Sequence, residues 1–84
     1  MPNHATPISE ALRADLLTAQ GNEISEHHIY LRLAEREKNP ANAEVLRHIA
    51  RDERRHYDYF RSLTGQDVAP REGLVRWYVF LAVA

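Results

Sequence analysis

The chain has 84 residues, no cysteine, and 11 basic against 12 acidic side chains, giving a formal net charge of −1. That length holds one small domain with a marginal core, and such domains are usually reinforced by disulfides, a metal or self-association. The missing cysteine excludes disulfides and thiolate metal sites, and the balanced charge gives no polyanion-binding footprint, so nucleic acid is not an expected partner. A metal held by carboxylates and histidine, an assembly of copies, or both remain.

Residues 1–6 read as a disordered start without the basic and apolar stretches of a secretory signal, which places the expected protein in the cytoplasm. Thr6-Pro7 has the form of a helix cap followed by proline in the first turn. From Ile8 to Lys38 there is no proline and good helix formers dominate, so the spacing predicts one helix roughly 45 Å long. Gly21-Asn22 is its weak point, where a kink is expected.

Asn39-Pro40 ends the first helix and caps the next, which runs to Thr64 and stops at Gly65. So short a turn forces an antiparallel hairpin over residues 7–65. Residues 66–84 give a polar loop and an apolar helix, LVRWYVFLAVA, too short to span a bilayer. Two readings fit it. It packs on the hairpin or a partner, or it leads into a membrane segment beyond residue 84 with Trp77 and Tyr78 at the interface, which would tether the protein.

The second helix carries the sharpest pattern. Leu46, Ile49, Glu53, His56, Phe60 and Leu63 alternate by three and four, the spacing of a bundle seam. Its middle is a carboxylate and an imidazole, costly in a core unless a cation compensates both. The first helix shows the same interruption along Leu16, Ala19 or Gln20, Glu23, Glu26 or His27, Tyr30 and Ala34, with Glu23, Glu26 and His27 replacing apolar residues in the middle. If Lys38 faces Ala41 across the turn, Glu23 falls level with His56 and Glu26 level with Glu53. Taken singly, each pair reads as an ordinary solvated surface pair. Their shared height on the seam favours a metal site.

Four-helix di-iron proteins use one Glu from each of two helices and Glu-x-x-His from each of the other two. One hairpin supplies half of that set, and two copies about a two-fold axis supply all of it. The expected fold is therefore all-α: a two-helix hairpin plus a short C-terminal helix, dimerising into a ferritin-like four-helix bundle. Carboxylates with imidazole suit iron or manganese, and zinc as a substitute. The expected metal residues are Glu23, Glu26, Glu53 and His56, with Glu23, Glu53 and His56 doing the chemistry. Tyr30 is expected to pack in the core and hydrogen-bond a ligand carboxylate, and His27 to support the site from the seam edge. His28 and His48 are expected to be exposed, and His4 to lie in the start segment. Tyr57 and Tyr59 are packing or surface residues. Arg47, Arg51, Arg54 and Arg55 form a solvated face expected to pair with acids of the first helix.

Glu23-Ile24-Ser25-Glu26 followed by Tyr30, and Asp52-Glu53-Arg54-Arg55-His56-Tyr57, together resemble the ferritin-like domain of the rubrerythrin superfamily over Leu16 to Gly65. The likeness is to the short two-helix type found ahead of membrane domains similar to vacuolar iron transporters. Encapsulated ferritin-like proteins share its half-site plan and form rings. The resemblance implies a di-iron site between two chains, with Glu23 and Glu53 bridging or chelating, His56 terminal, and Glu26 joining according to oxidation state. It implies either Fe(II) oxidation by oxygen or peroxide, a ferroxidase activity in iron storage or detoxification, or peroxide reduction. It also implies a homodimer or a larger ring. The alternative is a capture or sensing domain of a membrane iron transporter. The chain departs from full rubrerythrins in lacking the rubredoxin Cys₄ module. A purely structural hairpin with a polar dimer seam is the third reading.

Overall fold

A computed structural model describes residues 8–83 and contains three helices and, among the described residues, no strand: α1 (Glu10–Arg36), α2 (Pro40–Thr64) and α3 (Glu72–Val83). The expected disordered start and the Thr6-Pro7 cap lie outside the described residues. The first helix begins later than Ile8, because Ser9 is its cap. Ser9 is extended (φ −69°, ψ 161°), its hydroxyl accepts the Leu12 N–H at 3.1 Å, and Glu10 follows in the first turn. An acidic first turn complements the positive helix end.

α1 ends at Arg36 rather than Lys38. Glu37 turns extended and its carboxylate accepts the Asn39 N–H at 3.2 Å, which tightens the connection. The Asn39 side chain then accepts the N–H groups of Ala41 and Asn42, and Pro40 opens α2. Gly65 closes α2 in the left-handed conformation (φ 70°), its N–H donating to Arg61 O at 2.8 Å.

α2 lies against α1 through Ala43, Ala50, Tyr57 and Thr64, one residue every seven and all buried. Small side chains at the first two positions bring the helices close. This contact line is displaced from the expected seam. Leu46, Ile49, Glu53 and Phe60 are only half-buried, and His56 and Leu63 are exposed. Two helices bury only the line along which they touch. The adjacent stripe stays open.

α1 runs as one helix through Gly21. Gly21 is buried beneath the 65–71 loop, and a Cβ there would stand 3.4 Å from Val68 Cγ1 and 3.6 Å from the Arg71 guanidinium. Three buried side chains hold that loop. Gln20 donates to Gln66 O at 2.6 Å and accepts from Thr64 Oγ1 at 2.7 Å. Ser25 accepts the Arg71 N–H at 3.0 Å, and the Tyr57 hydroxyl accepts the Val68 N–H at 3.0 Å. So fastened, the loop returns the chain along α1. α3 packs on α1, with Val75 and Val79 buried against Ile29 and Leu33.

The result is a slab with Cα extents of 49 × 25 × 14 Å. The Cα atoms of one helix span about 4.6 Å and packed helices lie about 8–10 Å apart, so the slab is about two helices deep at its thinnest. No helix among the described residues is long and apolar enough to cross a membrane.

Two glycine substitutions have opposite expected signs. Gly21→Ala adds a methyl at ordinary contact distances and removes a mid-helix glycine, worth about 0.5–1 kcal/mol. Its thermal midpoint rises by about 4 °C. Gly65→Ala forces a side chain into the left-handed region and costs about 1–2 kcal/mol. Thermal melts followed by circular dichroism check both.

Candidate metal centre

Glu23 comes from the middle of α1, and Glu53 and His56 come from the middle of α2 one turn apart. The tight Asn39-Pro40 turn sets the register that brings them level. His56 Nδ1 lies 3.3 Å from a Glu23 carboxylate oxygen and 3.1 Å from one of Glu53. One ligand atom from each of the three lies within 4.8 Å of the others. The carboxylates are mostly sheltered, with 21% and 17% of their side chains exposed, whereas His56 is 60% exposed. The trio thus opens onto the uncovered stripe of the hairpin.

An ion with bonds of about 2.1 Å separates adjacent ligand atoms by about 3.0–3.4 Å. The distances from His56 Nδ1 to the two carboxylates match that spacing. Two carboxylate oxygens and one imidazole nitrogen are a donor set suited to iron, manganese or zinc. The residues therefore fit a divalent ion. One chain offers it three side chains, which leaves coordination positions to be filled from elsewhere.

The electrostatics point the same way. Glu53 is held above the ordinary carboxylate range, first by a hydrogen bond shared with Glu23, then by burial and by the Glu23 charge. Glu26 is raised first by burial and then by the neighbouring Glu53 charge. His56 is raised chiefly by its hydrogen bond to Glu23. Clustered carboxylates resist full ionisation unless a positive charge joins them.

The remaining candidates divide. Glu26 is not in the cluster that one ion reaches, and its carboxyl adjoins Glu53 from outside. Tyr30 is half-buried and lines a groove between α1 and α3 of about 340 Å³, together with Glu26 and Tyr78. Among the described residues its hydroxyl bonds no carboxylate. His27 bonds the Ala50 carbonyl through Nδ1 at 2.6 Å rather than a ligand. It faces α2 and serves as a strut across the hairpin. His28 is half-buried, not exposed, its ring edge-on to His27 at 5.2 Å. Burial foremost, then the adjacent His27, pulls its pKa down. His48 is exposed beside Asp52.

The arginine face pairs within α2 rather than with α1. Arg47 and Arg51 meet Glu44, Arg54 meets Asp58, and Arg55 meets Asp52. Helical spacings of three, four and seven put those acids nearer than any on α1. Tyr59 is exposed, and Tyr57 is a core residue with Arg54 over its ring at 5.4 Å. Sequence reasoning missed that Gln20, Ser25 and Thr64 fasten the loop beside the site. A trace was present, since Thr64 continues the seven-residue series of Ala43, Ala50 and Tyr57.

The raised Glu53 pKa has a consequence for the metal-free protein. The folded state binds that proton more tightly than the unfolded chain does. Its contribution to stability is complete below the ordinary carboxylate pKa and is lost as pH rises through the higher folded value. Metal-free Glu53→Gln is therefore more stable than the parent at pH 7 and equal to it near pH 4 (the lower end of the titration). Thermal melts in chelator across that range read the difference.

No curated protein and no solved structure matches the chain. The rubrerythrin family model matches residues 15–78, a span that holds the Glu23, Glu53 and His56 cluster, the hairpin and the first half of α3. The chain belongs to the rubrerythrin family, whose ferritin-like domains bind iron.

Proposed function

We propose that two copies of this chain pair over the open seam and hold two iron ions between them, with Glu23, Glu53 and His56 of each copy as ligands. The observation that carries this reading is the trio itself, drawn from two helices to ligand spacing on a stripe that one chain leaves uncovered. Two glutamates from each copy bring four negative charges to two divalent cations. Glu26 of each copy stands next to Glu53 and offsets the extra positive charge of oxidised iron. Leu46, Ile49, Phe60 and Leu63 above and below supply the apolar part of the same interface.

The activity is Fe(II) oxidation, with iron as substrate. Two Fe(II) ions give up one electron each to one oxygen molecule, which takes two protons and leaves as hydrogen peroxide. The protein fixes the spacing of the irons and neutralises their growing charge. His56 is exposed in the single chain and becomes sheltered as the copies pair, which limits access of water to the site.

Anaerobic Fe(II) titration followed by oxygen addition tests this reading. Saturation is expected near one iron per chain, with near-ultraviolet absorbance growing faster than in buffer. Loss of a group that merely orients a metal ligand costs about 10–100-fold, so Glu53→Ala and His56→Ala are expected to slow oxidation by at least about 100-fold. Repeated turnover separates an oxidase from a capture domain, which stops after the bound equivalents.

Assembly is expected to follow the metal. Ions bound only by the pair stabilise it by mass action, so sedimentation shows a heavier species with Fe(II) than in chelator. Equal sedimentation in the two conditions contradicts that linkage.

A further inference from the structure

α3 presents apolar side chains around most of its circumference and buries few of them. Val75 and Val79 pack on α1, while Trp77, Tyr78, Phe80 and Leu81 are each more than half exposed. The Trp77 and Phe80 rings stack at 6.2 Å between centroids, 23° from parallel, and form an exposed aromatic ridge. So large an exposed apolar surface marks a binding face.

Beside this ridge lies a hollow of about 310 Å³ floored by Val79 and Phe80 and rimmed by Arg32, Arg36 and Arg76. Arg32 also meets Glu72 at 3.1 Å, whereas Arg36 and Arg76 have no ion pair among the described residues. The chain as a whole is slightly acidic, so the three arginines are a local concentration of charge. The surface thus joins an aromatic ridge to a guanidinium-lined hollow.

We infer that this face docks on a membrane surface containing anionic phospholipid, with Trp77, Phe80 and Leu81 at the headgroup boundary and the arginine hollow taking lipid phosphate. Guanidinium groups match phosphate oxygens, and an apolar ridge beside them matches the acyl layer under the headgroups. The described α3 is 12 residues long, about 18 Å, and its exposed aromatic flank beside the arginine hollow is the part offered to the headgroup layer. A second copy is a poor occupant, since a two-fold contact through this face brings two arginine sets together. Arg32 is nine residues beyond Glu23, half a revolution around α1, so the docking face and the metal seam point away from each other. Docking therefore does not depend on the proposed iron chemistry.

Trp77 is the sole tryptophan of the chain and reports docking directly. The full chain is mixed with phosphatidylcholine vesicles with and without phosphatidylglycerol, in low and high salt. Cosedimentation and a blue shift of Trp77 emission are expected only with phosphatidylglycerol, and both weaken in salt. Arg36→Gln with Arg76→Gln, both surface changes, lowers partitioning by about 25-fold, about fivefold for each charge near the surface. Glu53→Gln partitions like the parent, which separates this face from the metal seam. Three results overturn the proposal. One is partitioning indifferent to phosphatidylglycerol. Another is displacement by millimolar inorganic phosphate, which assigns the hollow to a soluble anion. The third is a blue shift that grows with protein concentration without vesicles, which assigns the ridge to a second copy.

Discussion

Glu23 and Glu53 meet across the hairpin with His56 Nδ1 within reach of both carboxylates, and the rest of the structure is arranged around that juxtaposition. Two carboxylates and an imidazole in a half-sheltered seam are costly without a cation, because the neighbouring carboxylates resist ionising together. Their height is set at a distance. Asn39 and Pro40 fix where α2 starts, and the turn from Glu37 fixes its register against α1. Ala43 and Ala50 let the helices approach, and the His27–Ala50 bond holds the crossing near the site. A residue inserted in the turn would rotate Glu53 and His56 away from Glu23 while leaving both helices intact.

The slab shape follows from the same economy. A chain this short fills the contact line between two helices and one flank of α1, and little more. What stays open is chemically sorted. One stripe carries the polar trio between apolar residues. The outer flank of α3 carries aromatics beside arginines. In the account proposed above, the first is closed by a second copy with iron and the second by lipid. Loop 65–71 connects these halves, because Gln20, Ser25 and Tyr57 hold it on the hairpin and so determine where α3 lies.

Much of this was legible in the sequence. The three helices, the Asn39-Pro40 cap, the Gly65 stop and the level placement of Glu23 with His56 all follow from local chemistry and the length of one turn. The start of α1 was misplaced because Thr6-Pro7 and Ser9-Glu10 both carry cap signals, and only the chain's path chooses between them. Gly21 read as a weak point because a glycine inside a helix signals weakness or close approach, and sequence does not say which. Within the site, helical spacing foretold the Glu23, Glu53 and His56 cluster. It did not foretell that His27 turns to a backbone carbonyl. Nor did it show that the arginines of α2 find acids on their own helix. Those outcomes depend on side-chain rotation about a fixed register, which periodicity does not encode.

The central claim is that iron sits in pairs between two chains. Iron K-edge X-ray absorption of the anaerobically loaded protein addresses it most directly, because it counts neighbours around each iron without reference to activity. The account predicts an oxygen-rich first shell with about one imidazole, and a second iron at about 3.5–4 Å, absent in Glu53→Ala. A single isolated iron with no metal neighbour in the parent would contradict it.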